Sequence, residues 1–181
     1  MPKFLHGSVI FVMIFIFSGC TGIPDGVKPV TEFDVNRYLG TWYEIARLDH
    51  KFERNLTHVT AQYSLRDDNG LRVINQGYNP AKKGWERAEG KAYFIDDTNV
   101  GRLKVSFFGP IYSAYNIFSL DKDSYDYAMV TGPDRSYLWI LARSPDLDKS
   151  ILKKLVNKAK DLNFNTDQLI FVDHQTPVSE E

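Results

Sequence analysis

The sequence predicts an all-β fold: an eight-stranded antiparallel up-and-down barrel with a C-terminal flanking helix and a short final strand. Three observations carry that expectation. Eight short β-type runs follow one another from residue 41 to residue 143 at nearly even spacing, which on its own fits a barrel or a sandwich of consecutive hairpins. The early runs alternate apolar and polar residues, whereas the late ones are apolar at both parities. One amphipathic helical stretch comes after the eighth run and can cover the strands that need cover on their outer face. Together these favour a closed barrel with a helix laid against one side.

The elements follow in chain order. Lys3 opens the chain with positive charge, and Val9 to Phe17 is an apolar run too short for a transmembrane helix, which takes roughly 20 residues. It suits the apolar core of a signal peptide. Phe17-Ser18-Gly19-Cys20 resembles the bacterial lipobox, a hydrophobic residue and two small ones before a cysteine. The resemblance implies that residues 1–19 are removed, that Cys20 carries a thioether-linked diacylglycerol, and that its new amine is acylated. Cys20 is the chain's one cysteine, so the mature protein then has no free thiol and no disulfide. Thr21, where an Asp would mark inner-membrane retention, implies the outer membrane. Residues 20–31, with two prolines and two glycines, read as the lipidated N-terminus and a tether. Residues 32–181 remain for one domain, long enough for a real core.

The β-type runs are 41–48, 58–65, 71–78, 85–95, 102–108, 114–120, 125–131 and 137–143. Clusters of Asp, Asn, Gly and Pro separate them, residue types that turn the chain for known backbone reasons. The longer link 49–57 is the exception. In the second run Val59, Ala61, Tyr63 and Leu65 share one face, opposite Thr60, Gln62 and Ser64. In the fifth, Leu103, Val105 and Phe107 oppose Lys104 and Ser106. These strands have one dry and one wet face. Ser144 is placed to cap the helix, with Pro145 at its first position. Ile151, Leu152, Leu155, Val156, Ala159 and Leu162 make its apolar stripe to about Asn163. Residues 169–172 read as the last strand.

Gly40-Thr41-Trp42-Tyr43-Glu44 opens the first run and Arg143 closes the eighth. A Trp and an Arg so placed can stack and seal one end of a barrel by cation–π contact. GTWYEIAR resembles the G-x-W motif of the lipocalins, and WILARSP at 139–145 resembles their Arg-containing third motif. Leu120-Asp121-Lys122 stands where the second motif, Thr-Asp-Tyr, belongs, in degraded form. With FDVNRYLGTWYEIARLDHKFERNL, WERAEGKAYF, LKVSFFGP and GPDRSYLWILAR, the sequence resembles the bacterial outer-membrane lipocalins, a lipoprotein group close to apolipoprotein D. The resemblance implies binding and storage or transfer of hydrophobic ligands, fatty acids or lysophospholipids, in envelope maintenance. It implies a protein held in the outer membrane by lipidated Cys20 and facing the periplasm. Gly40, Trp42 and Arg143 are given structural roles. Glu44 shares the parity of Trp42 and reads as a buried carboxylate near the closed end, free to pair with Arg143 or Arg47, or as a solvent-facing one.

Inward parity assigns the cavity wall to Ala61, Tyr63, Val73, Asn75, Ala92, Phe94, Val105, Phe107, Tyr115, Ile117, Val130, Trp139 and Leu141. An apolar wall with a few polar groups suits a small-molecule site. Small residues at Ala61, Gly90 and Ala92 favour a hollow barrel over a filled one. A polar head is expected at the mouth, by Asn75, Tyr63 or Tyr115.

Other classes find less support. Lysine and arginine number 22 against 23 acidic residues, so no basic stripe argues for nucleic acid. An enzyme has Asp49, His50 and His58 as raw material, with Ser64 or Ser106 as a nucleophile. None stands in a G-x-S-x-G turn, and loop histidines are more often solvated than catalytic. His50 and His58 lack a third ligand at metal spacing, and no cofactor is expected. The alternative to a carrier is an interaction or structural envelope lipoprotein with a filled barrel. Phe108, Pro110, Ile111 and Tyr112 form an apolar turn that fits a homodimer contact, a membrane-touching tip or a mouth loop. Asn55-Leu56-Thr57 matches the N-glycosylation pattern by coincidence.

Overall fold

The structure is a computed structural model and describes residues 21–176 and 178. The leader 1–19 and Cys20 lie outside the described residues. A four-residue helix α1 (Val35–Tyr38) precedes the strands β1 (Gly40–Arg47), β2 (Thr57–Leu65), β3 (Leu71–Asn79), β4 (Gly84–Phe94), β5 (Arg102–Phe108), β6 (Ile111–Leu120), β7 (Tyr127–Thr131) and β8 (Leu138–Ala142). Helix α2 (Lys149–Asp161) and the short strand β9 (Ile170–Phe171) complete the chain. From β1 to β8 each strand pairs antiparallel with the next, and β8 pairs back onto β1. That double pairing closes the barrel and removes the free edges an open sheet would carry. β9 adds to β1 through Ala46 and Arg47.

Two apolar clusters divide the work. The inner one fills part of the barrel with Phe33, Tyr38, Trp42, Tyr63, Leu71, Val73, Leu103, Ile117 and Val130 among others. The outer one lies under α2, where Leu155 and Ala159 meet Ile45, Ala46, Met129, Leu138 and Ile140. This is why the late strands are apolar at both parities: one parity faces the interior and the other the helix. The helix begins later than expected. Asp148, not Ser144, is its cap, and its carboxylate accepts from Ser150 N and Ile151 N. Residues 145–147 are not helical, so Pro145 does not open the helix.

Residues 21–31 are held on the barrel rather than standing free of it. Val27 is buried under the helix side, Val30 bonds to Ile117 and Gly101 by its backbone, and Asn116 Nδ2 donates to Gly22 O at 3.1 Å. The first strand also departs from strict alternation. A bulge between Glu44 and Ala46 puts both Ile45 and Ala46 into the outer cluster and leaves Arg47 buried at 1 % exposure.

Candidate ligand cavity

One end of the barrel is sealed. The Trp42 indole donates to Tyr38 O at 2.8 Å, and the Arg143 guanidinium lies 4.0 Å over its ring. The same guanidinium donates to Thr41 O at 2.9 Å and Arg37 O at 2.7 Å, tying β8 to β1 and to α1. Gly40 has φ +93°, a left-handed conformation that glycine tolerates where the chain leaves α1 and enters β1. The degraded second motif sits in the loop beside this seal: Lys122 O accepts from Arg37 and Tyr125 is buried under the Arg37 side chain.

Above the seal the barrel is hollow. A cavity of about 540 Å³ runs through the interior, inside the range typical of small-molecule sites. Of the residues read as inward, Ala61, Tyr63, Val73, Asn75, Ala92, Val105, Phe107, Tyr115, Trp139 and Leu141 line it. Phe94, Ile117 and Val130 do not; they are packed in the inner cluster, and Ile117 and Val130 are wholly buried. Leu65 shares the parity but ends its strand 56 % exposed. Gly90 is small for a different reason than a void. A Cβ there would lie 2.7 Å from Ser106 O and 2.8 Å from the Phe107 ring, so the glycine admits a close strand and an aromatic side chain.

The floor and the mouth differ in chemistry. At the floor the hydroxyls of Tyr38 and Tyr63 each lie 2.8 Å from that of Tyr115. Burial pushes all three phenols above their ordinary range, so they stay protonated. Tyr63 and Tyr115 are therefore floor residues bonded to one another, not head-group ligands at the mouth. Tyr63 is joined to the seal through its ring contact with Tyr38.

Toward the mouth lies a buried charged group. Glu44, at 3 % exposure, pairs with Arg47, Nη1 to Oε1 at 2.6 Å. Arg47 also donates to Glu53 O at 2.6 Å, fixing the first loop to β1. Glu53 comes from that loop, accepts from Trp139 Nε1 at 3.1 Å, and has His50 Nε2 2.9 Å from Oε2. Both Glu44 and Glu53 line the cavity. Burial first, then the facing charge of Glu53, raises the Glu44 carboxyl well above the ordinary carboxylate range. Burial acts on Glu53 too, but His50, Trp139 and Arg47 favour its anion and bring it below that range. So Glu44 pairs with Arg47 at the mouth side, not with Arg143. His50 is buried among Phe52, Tyr137 and Trp139 rather than solvated. The sequence reading named Arg47 only as one possible partner of Glu44, because the bulge hides its inward turn, and missed His50 and Glu53 as interior groups, because they come from an irregular loop. Around the opening Phe52, Phe108 and Ile111 line the cavity and are 64, 82 and 71 % exposed. Among the described residues no cluster of three or more His, Cys, Asp or Glu has metal-site geometry.

Comparison with known proteins follows the same lines. The family model of the lipocalin-like domain matches residues 33–174. The chain is 51 % identical over 160 residues to the outer membrane lipoprotein Blc of Vibrio cholerae, covering 88 % of this chain and 94 % of that protein. It is 53 % identical over 149 residues to Blc of Escherichia coli K12, covering 82 % and 84 %. Among solved structures, insecticyanin from the tobacco hornworm Manduca sexta superposes with a TM-score of 0.68 at 23 % identity, covering 85 % and 87 %. That likeness is one of fold.

Proposed function

The chain belongs to the lipocalin-like family, and from that premise we propose that it binds a single-chain lipid, a fatty acid or a lysophospholipid, in the barrel cavity and stores or transfers it in envelope maintenance. Lipocalins bind small hydrophobic ligands, and the hollow interior is the observation that carries the reading here. Its wall of Ala61, Val73, Ala92, Val105, Phe107 and Leu141 offers an acyl chain an apolar surround. Each methylene so buried contributes about 0.8 kcal/mol. A barrel packed solid would favour the interaction-lipoprotein alternative; this one is not packed solid.

Anchoring follows the same reading. The relatives named outer membrane lipoproteins support an outer-membrane lipoprotein, and on this reading lipidated Cys20 is the anchor and the barrel faces the periplasm. The barrel then shields a lipid chain across a water-filled space, with direction set by ligand gradients and dissociation rates. It acts as a binding protein and not as an enzyme. A homodimer through the 108–112 turn belongs to the same set of proposals.

The test is native mass spectrometry of the purified chain, followed by displacement with palmitate and palmitoyl lysophospholipid. Bound single-chain lipid that Val105→Trp reduces at least tenfold is the expected result, since Val105 lines the cavity and an indole there occupies the acyl path. A chain that takes up neither lipid overturns the carrier reading.

A further inference from the structure

The first described residues fix where a lipid carried on Cys20 leaves the barrel. Arg102 Nη2 of β5 donates to Thr21 O at 3.3 Å, and Asn116 Nδ2 of β6 donates to Gly22 O at 3.1 Å. Farther along, Arg135 Nη2 donates to Asp25 O, Val27 is buried, and Val30 O accepts from Gly101 N at 2.9 Å. Consecutive Cα atoms lie about 3.8 Å apart, so Cys20 adds little reach to a segment clamped in this way. The same two strands end in the apolar rim. β5 runs from Arg102 to Phe108, roughly 20 Å, and Phe108 pairs with Ile111 of β6 across the turn. Anchor and rim are therefore two points on one wall of the barrel.

The outer surface between them has the chemistry of a membrane interface. Tyr93 of β4 stands opposite Lys104, Lys104 Nζ lies 5.1 Å over the Tyr112 ring, and the Tyr93 and Tyr112 rings are 6.2 Å apart. Lys91 and Lys104 have no ion-pair partner among the described residues. The carboxylates bordering this wall are engaged: Asp96 by Arg102, Asp68 by Arg66 and Glu89 by Arg72. The two ends of the barrel differ in charge as well. Asp96 and Asp97, with Asp121, Asp123 and Asp126, make the closed end acidic, whereas the mouth loops carry Lys51, Arg54, Lys82 and Lys83. An anionic bilayer repels the first end and attracts the second.

We propose that the β4–β6 wall docks on the bilayer that holds the anchor, with its tyrosines and lysines among the headgroups and Phe108 and Ile111 inserted beyond them, so that the cavity opens onto that leaflet and exchanges its lipid there. The inference rests on the anchored-carrier reading and deepens it. Tyr and Lys place an apolar body against lipid and a polar tip in the headgroups. Phe108 and Ile111, 82 and 71 % exposed in water, gain cover in hydrocarbon. The anchor makes this second contact intramolecular, which raises its effective concentration. Carriage across the water-filled space then begins when the rim lifts off.

The experiment reads the depth of the rim. Gly109 lies at the tip of the turn, and a Cβ there would meet only Ser106 Oγ, at 4.0 Å. The full chain with Gly109→Cys, expressed with its leader and purified from membranes, is labelled at that thiol with an environment-sensitive fluorophore. It is then reconstituted in vesicles of phosphatidylethanolamine and phosphatidylglycerol whose acyl chains carry bromine, a contact quencher. A second preparation carries the label at Lys153→Cys, on the exposed side of α2. The Gly109→Cys label should lose at least half of its fluorescence and the Lys153→Cys label almost none. Adding Phe108→Ser and Ile111→Ser to Gly109→Cys should abolish the quenching while the chain stays in the vesicles. Mass spectrometry of the same samples reports acylation of Cys20. An acylated chain whose Gly109→Cys label is unquenched overturns the docking and leaves the anchor standing; self-quenching between labels in that case assigns the rim to a second copy. A chain without acyl groups on Cys20 overturns the anchoring reading, and this inference with it.

Discussion

Strand β1 serves both ends of the barrel, and the ends are built on opposite principles. At the closed end Trp42 is fully buried, its indole N–H is bonded, and Arg143 spreads over its ring while donating to two neighbouring elements. Each polar group there serves the fold. Two residues on, Glu44 begins a buried polar group, Arg47 against Glu44 and His50 against Glu53, whose carboxyls line the cavity below a rim of exposed Phe52, Phe108 and Ile111. The contrast teaches where stability and binding are kept. The seal ties α1, β1 and β8 together, and the mouth is left with exposed apolar side chains that a ligand can cover.

If that division holds, substitutions at the seal act on stability first. Trp42→Ala should have the largest effect, about 3–5 kcal/mol, because it removes a whole buried indole and leaves a cavity that the closed sheet cannot collapse. Urea unfolding followed by circular dichroism measures it, and a loss below about 1 kcal/mol would break the comparison. Arg143→Met comes next at about 2 kcal/mol, the loss of the cation–π contact and of the bonds to Thr41 and Arg37. Arg143→Lys should recover less than half of that, since an ammonium cannot fork between two carbonyls as a guanidinium does.

At the mouth the smaller effect has a pH signature. The folded Glu44 carboxyl titrates above its unfolded value, for reasons of burial and of Glu53. Between the two values the native state holds a proton that the unfolded chain has released, so stability falls as pH rises through that window. Glu44→Gln removes this contribution. Its stability relative to the parent should therefore rise with pH above the ordinary carboxylate range, measured as the difference in urea midpoints from pH 4.5 upward. A difference that falls with pH would mean that the Arg47 ion pair dominates and Glu44 is held as the anion.

The unequal legibility of the two ends has a physical origin. The seal is written in short, regular segments: Gly40 and Trp42 at the start of one strand, Arg143 at the end of another, with alternation intact between. The helix stripe and the eight runs are visible for the same reason, and their fusion into a closed barrel follows from which parities stay apolar. The mouth breaks that regularity. The bulge after Glu44 advances the register by one residue, which turns Arg47 inward against a parity of two. His50 and Glu53 come from a loop whose path depends on bonds such as Arg47 to Glu53 O, and no local pattern announces those. Leu65 fails in the opposite direction, apolar in a buried phase yet beyond the reach of the interior at its strand end. Gly90 shows the limit of reading size alone, because the space above a glycine had already been taken by Phe107.

The rim allows the smallest and sharpest test of the division. Phe108 and Ile111 pair across the β5–β6 turn, and both are largely in water. Burial is what makes an apolar side chain stabilising, so these two contribute little to the fold as it stands. The double substitution Phe108→Ser, Ile111→Ser should shift unfolding by no more than about 0.5 kcal/mol at low protein concentration. Their retention at the opening then has to be explained by something they touch outside the isolated barrel. Sedimentation of the parent and the double variant across a range of concentrations separates the cases. Association of the parent that the variant loses assigns the rim to a second copy of the chain. Monomers throughout, with weaker lipid uptake from vesicles by the variant, assign it to the passage of ligand between bilayer and cavity. A large loss of stability would show instead that the mouth carries the fold as the seal does, and the division between the ends would fail.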